Sequence, residues 1–116
     1  MENGICHFEL LVKDVAAAKE FYGGLFGWEF TDSFDGYVTI KAADGIGGGM
    51  YAPEKVPDDG PANLYVQVAD IDDCLAKATA AGATVEMPKH TISLEHGAIA
   101  FFRDPDGLKM GIWSPK

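Results

Sequence analysis

Positive charge is scarce in this chain. Nine Lys and Arg stand against 18 Asp and Glu, a formal net charge of −9. Binding to phosphate backbones or anionic membrane surfaces rests on clustered cations, so nucleic acid and membrane are excluded as partners. Cysteine is sparse too, at two residues, which is too few for a disulfide framework in a chain of this size. Cys6 and Cys74 both fall on apolar faces and read as small core residues. No apolar run approaches the ~20 residues of a membrane helix, and MENGICHFEL has no basic segment leading into an apolar one. A soluble, cytoplasmic protein is expected. A phosphate loop is also missing, since GIGGGM precedes no helix and lacks the Lys-Ser/Thr ending.

Glycine, by contrast, is abundant at 14 residues, which implies positions that need backbone freedom or empty space. At 116 residues, 47% hydrophobic and 23% charged, the chain reads as one ordered domain over 1–116 with room for one core. Alternation is clearest in GICHFELLVKD (4–14) and ANLYVQVAD (62–70). Each reads as a strand running into an Asp and then an amphipathic helix. In the first, Phe8, Leu10 and Val12 oppose His7, Glu9 and Leu11; in the second, Leu64, Val66 and Val68 oppose Asn63, Tyr65 and Gln67. The mixed face, which recurs, is the candidate site.

The order of elements repeats. Asp14 is placed to cap a helix over 15–26, with Val15, Ala18, Phe21, Tyr22, Leu25 and Phe26 as its apolar stripe and Gly27 as its stop. Strands at 28–34 and 37–42 flank the hairpin signal Asp35-Gly36, and a glycine-weakened strand follows at 46–51. Residues 52–61 hold three prolines and read as a linker. Then come a strand, a helix over 71–81 capped by Asp70 with an Ile71, Cys74, Leu75, Ala78 stripe, a strand at 83–87 ended by Pro88, and a polar loop over 89–97. Strands at 98–103 and 108–113 close the chain around a type I turn at Asp104-Pro105-Asp106-Gly107.

Two copies of β-α-β-β-β result: module 1 over about 4–51, the linker 52–61, and module 2 over about 62–115. With the apolar strand faces under the helices, the opposite faces line a concave surface that carries His7, Glu9, Tyr51, Asn63, Tyr65, Gln67 and Trp113. Polar anchors beside aromatics suit a small organic ligand. Glu9 either tunes His7 as a base or meets Lys41 as a neutralising partner. Arg103 pairs with Asp104 or Asp106, and His96 lies in a loop able to reach the ligand.

The stretches HFELLVKDVAAAKEFYGGLFGWEF and GAIAFFRDPDGLKMGIW, with the duplication between them, resemble the vicinal oxygen chelate superfamily of glyoxalase I, bleomycin-resistance proteins, fosfomycin-resistance enzymes and extradiol dioxygenases. The resemblance covers nearly the whole chain. It implies an α+β fold of two modules forming curved, partly open barrel-like sheets around a cavity, and a homodimer. Metal-using relatives hold a divalent ion by one residue from the first and one from the last strand of each module. Those positions fall on His7, Gly49, Asn63 and Gly111, so His7 is the one matching ligand and no metal or other cofactor is expected. Glycine at two of the positions is expected to enlarge the cavity. The function implied is small-molecule binding of the glyoxalase and bleomycin-resistance type without the usual catalytic metal. The alternative is a divalent-metal-dependent lyase, isomerase or dioxygenase using His7 and Glu9, and whether the chain turns over a substrate stays open.

Overall fold

The computed structural model describes residues 2–58 and 60–116. Met1, and Asp59 within the predicted linker, lie outside the described residues. The elements run β1 (Ile5–Leu11), α1 (Val15–Phe26), β2 (Glu29–Phe34), β3 (Tyr37–Lys41), β4 (Gly48–Tyr51), β5 (Ala62–Gln67), α2 (Ile71–Ala80), β6 (Thr84–Ser93), β7 (Gly97–Arg103) and β8 (Lys109–Ser114). This is an α+β chain with the β-α-β-β-β order twice. No helix among the described residues is long and apolar enough to cross a membrane.

Local chemistry sets the element ends. Both helices open on an extended Asp whose carboxylate accepts a backbone N–H three residues on: Asp14 from Ala17 at 3.0 Å and Asp70 from Asp73 at 2.8 Å. Gly27 ends α1 in the left-handed conformation at φ 71°, which a residue with a Cβ adopts only with strain. The closing turn forms as read, with the Gly107 N–H donating to the Asp104 carbonyl at 2.8 Å. The Asp104 carboxylate accepts from the N–H groups of Asp106 and Leu108.

Two compact units result, His7–Asn63 in one and Leu64–Lys116 with the segment up to Cys6 in the other. In the first the strands lie in the order β2-β3-β4-β1, with β1 parallel to β4; Val38, Ile40 and Met50 are buried on one face, and Leu11 is buried on the face of His7 and Glu9. In the second the order is β5-β8-β7-β6, with β5 parallel to β8. Its core joins Ile71 and Leu75 of α2 to Val68, Ala98, Ala100 and Ile112, with Val66, Cys74 and Phe102 packed against them.

The stripe read for α2 is the one it buries. That of α1 is not, because α1 contributes no fully buried residue. Val15, Ala18 and Tyr22 turn inward to half-buried positions, whereas Phe21, Leu25 and Phe26 are 61%, 60% and 58% exposed. The six apolar positions span more of the helix circumference than one sheet face can cover. Phe26, in the last turn, leans on Trp28 with ring centroids 5.3 Å apart.

Two further expectations are corrected. Pro88 does not end its strand: β6 runs through it as an edge strand whose pairing to β7 shifts register three times, and an edge tolerates the missing N–H. Leu64, placed with the helix-covered residues, is 46% exposed while Asn63 and Tyr65 are buried. Val66 packs on the α2 core, but Leu64 lies at the beginning of the strand, outside that core.

The ledger of exposure gives a direct test. Ile112 is 2% exposed, and Ile112→Ala is expected to lower unfolding free energy by about 2–5 kcal/mol in urea denaturation. Leu94, at 103% exposed on the β6–β7 hairpin, should lose less than about 0.5 kcal/mol as Leu94→Ala.

Candidate functional site

The polar side chains of β1 meet partners from β3 and from the start of β5. His7 Nε2 lies 2.8 Å from the Tyr37 hydroxyl, which donates to Glu9 Oε2 at 2.9 Å. Asn63 Nδ2 donates to Glu9 Oε1 at 3.0 Å. A phenol has one proton, and here it goes to Glu9. His7 Nε2 is therefore the donor to Tyr37, which leaves Nδ1 as the acceptor nitrogen of the neutral ring. The result is a directed chain, His7 to Tyr37 to Glu9, with Asn63 holding the carboxylate from its other oxygen.

An aromatic ladder runs beside this chain. Phe34 stacks on Tyr37 with centroids 4.8 Å apart and planes 2° apart, and Tyr37 stacks on Tyr51 at 6.0 Å. Phe34 is 48% exposed. Burial, and then the Glu9 charge and hydrogen bond, push the Tyr37 hydroxyl far above the ordinary phenol value, so it stays protonated. Burial, and then Glu9, also raise Tyr51. Burial lowers His7 from its ordinary value, with Glu9 opposing. Burial raises both thiols, Cys6 and Cys74.

Of the residues proposed from the sequence, His7, Glu9, Tyr51 and Asn63 come together in this unit. Tyr65, Gln67 and Trp113 belong to the other. There Tyr65 is buried with its ring 5.4 Å from that of Phe101. Gln67 faces Trp113 across the β5–β8 ladder, and its backbone bonds to Asn3 and Gly4. The Trp113 indole N–H donates to the His96 carbonyl at 2.7 Å. Arg103 pairs with Glu86 at 2.7 Å, with its other donor on the Gly107 carbonyl, instead of with the turn aspartates. Sequence reasoning leaves Tyr37 out of the site. The signal for it is the β3 alternation, which sets Tyr37 on the face of Thr39 and Lys41.

The glycines do not open space as expected. A Cβ on Gly49 would collide with the Tyr37 hydroxyl and ring. One on Gly111, in the other unit, would lie 2.7 Å from the Tyr65 ring. One on Gly48 would lie 2.6 Å from the Phe8 ring, so neighbouring glycines of β4 receive an aromatic ring on each face of the strand. At the four positions where the resemblance puts a metal, the chain offers one imidazole, one amide and two positions filled by neighbouring rings. Among the described residues no group of three His, Cys, Asp or Glu could hold a metal ion. This donor set does not fit a divalent ion.

Paired β-α-β-β-β modules, each with its first strand parallel to its last and polar side chains on the first strand, define the class of protein. The model of the Glyoxalase/Bleomycin resistance protein/Dioxygenase superfamily matches residues 4–112, and the chain belongs to that superfamily. It is 32% identical over 113 residues to CFP32 of Mycobacterium tuberculosis (strain CDC 1551 / Oshkosh), named as a candidate glyoxylase, covering 90% of this chain and 43% of that protein. It is likewise 32% identical over 125 residues to the anthracycline biosynthesis protein DnrV of Streptomyces peucetius, covering 91% and 45%. The chain thus spans less than half the length of both relatives. Solved structures with the same fold include methylmalonyl-CoA epimerase from Mycobacterium tuberculosis, with a TM-score of 0.74 and 17% identity over 97% of this chain and 88% of that one. The Mn(II)-bound glyoxalase from Novosphingobium aromaticivorans has a TM-score of 0.69 and 20% identity over 98% and 39%.

The lowered His7 value makes stability depend on pH. The unfolded chain takes up the His7 proton first as pH falls, so the stability present above the ordinary value of 6.5 is lost progressively below it. Urea midpoints between about pH 7.5 and 5.5 should therefore fall more steeply for the wild type than for His7→Gln. Equal slopes would mean that the ring titrates alike in both states.

Proposed function

We propose that the chain is a small-molecule-binding protein of the glyoxalase and bleomycin-resistance type that works without a catalytic metal, a single domain of two modules with its ligand site on the His7–Tyr37–Glu9–Asn63 cluster. The observation that supports this most is the hydrogen-bond chain itself. The donors that could grip an ion are committed to Tyr37 and Asn63, in an arrangement suited to recognising polar groups on an organic molecule. Glu9 is held by the Tyr37 hydroxyl and the Asn63 amide. The Phe34–Tyr37–Tyr51 ladder offers ring faces for a flat conjugated body. Tyr65, Gln67 and Trp113 are proposed as ligand contacts of the other unit. The alternative, a metal-dependent enzyme using His7 and Glu9, would first require Tyr37 to leave both of them.

A thermal-shift screen of compact conjugated metabolites in the presence of a chelator tests this reading. A ligand at 100 times its Kd adds about 2.7 kcal/mol to apparent stability, and the shift should persist in chelator and shrink in Glu9→Gln. Ligand shifts that appear only after divalent metal is added would defeat it.

A homodimer completes the proposal. Phe21 and Leu25 lie one helical turn apart on α1 and are exposed, a surface that a second copy of this chain would cover. Relatives more than twice as long have room for a second such domain in one chain. Sedimentation at about 50 μM should show the dimer mass for the wild type and the monomer mass for Leu25→Glu. A monomeric wild type would remove this part of the proposal.

A further inference from the structure

We propose that Tyr37 is what keeps divalent metal ions out of this site: its ring and hydroxyl stand where a side chain at position 49 would project, and its hydroxyl engages both side chains of β1 that could ligate an ion. This rests on the metal-independent reading above and names the residue that enforces it. Gly49 pairs with Glu9 on one side and with Thr39 on the other. A side chain at 49 would therefore project between β1 and β3, on the face that carries Glu9. Tyr37, two residues before Thr39 on β3, reaches diagonally across and fills that volume. From there its oxygen accepts from His7 Nε2 at 2.8 Å and donates to Glu9 at 2.9 Å.

An ion approaching His7 and Glu9 meets two obstacles. The His7 nitrogen that faces the site carries a proton committed to Tyr37, and the facing Glu9 oxygen already accepts from the phenol. A third protein donor, which catalytic metal sites of this kind need, cannot come from position 49 while the ring is present. Gly49 and Tyr37 thus form a matched pair, in which the missing Cβ admits the ring and the ring replaces the ligand. Removing the ring and restoring a carboxylate at 49 should convert the cluster into a site of one imidazole and two carboxylates, a donor set that suits Mn²⁺, Co²⁺ or Zn²⁺.

The test is Co²⁺ titration of the full chain, followed by calorimetry and by the visible absorption of bound Co²⁺. The variants are Tyr37→Phe, Tyr37→Ala/Gly49→Glu, and that double variant with His7→Ala, each with its fold checked by circular dichroism. The wild type is expected to bind Co²⁺ at His7 only weakly, short of one equivalent across the titration, and the double variant one full equivalent, lost again on adding His7→Ala. Tyr37→Phe, nearly isosteric and expected to fold even if the double variant does not, should bind Co²⁺ at least about tenfold more tightly than the wild type, because its hydroxyl no longer engages His7 and Glu9. The broadening of His7 ring signals by the paramagnetic ion would report it. A folded double variant that takes up no ion, or a Tyr37→Phe whose affinity matches the wild type, overturns the proposal and leaves the metal-free ligand site standing. A wild type that binds one equivalent through His7 overturns both. A ligand screen that finds nothing, beside variants that gain metal, defeats only the proposed function.

Discussion

The site depends on a ring lying against a position with no side chain. Tyr37 can occupy its place because Gly49 lacks a Cβ, and the contacts of its hydroxyl with His7 and Glu9 follow from that placement. Without the phenol, Glu9 would keep Asn63 but lose one of its two named donors, and His7 would lose the acceptor that fixes its tautomer. A hydrogen bond to a charged group is worth roughly 1.5–3 kcal/mol. A single methyl group at position 49 would therefore disturb the electrostatics of three other residues.

The same device appears in the other unit with different parts. Gly111 of β8 receives the ring of Tyr65, which comes from its parallel partner strand β5, whereas Gly49 of β4 receives Tyr37 from its antiparallel partner β3. The two closing strands occupy equivalent places in the two modules, so the duplicated scaffold has reached one steric outcome by two routes. Tyr65 is buried with its ring against Phe101. Tyr37 is only partly buried and bonds to two titratable side chains, His7 and Glu9.

What could be read from the sequence divides by the range of the forces involved. Helix caps at Asp14 and Asp70, the stop of α1 at Gly27, and the turn at Asp104 are decided by residues within four positions of one another, and each forms as read. Alternation sets His7 and Glu9 on one face, where both meet Tyr37. What alternation cannot supply is which neighbouring strand brings a ring to a glycine. That is why Gly49 and Gly111 read as empty space from the sequence, and why Tyr37 is absent from the surface it predicts. Pro88 departs from expectation for a related reason, since a proline stops a central strand but not an edge, and edge position is a property of topology. The exposed side of α1 departs from it because an apolar stripe tells nothing about how wide a surface is available to cover it.

Family membership therefore constrains the scaffold more tightly than the chemistry. The capped helices and the parallel pairing of first and last strands are scaffold features, and they persist whichever side chains project from the sheet. The chemistry open to the site is set by a few side chains on β1, β3 and β4. A carboxylate at position 49 would add negative charge next to Glu9 and call for a cation to balance it. A glycine there, with a protonated phenol in the vacated space, meets the Glu9 charge with hydrogen-bond donors instead. Neutral donors around one carboxylate favour recognition by hydrogen bonding and stacking, whereas clustered carboxylates with an imidazole favour Lewis-acid catalysis. The two donors on Glu9, the Tyr37 hydroxyl and the Asn63 amide, are neutral.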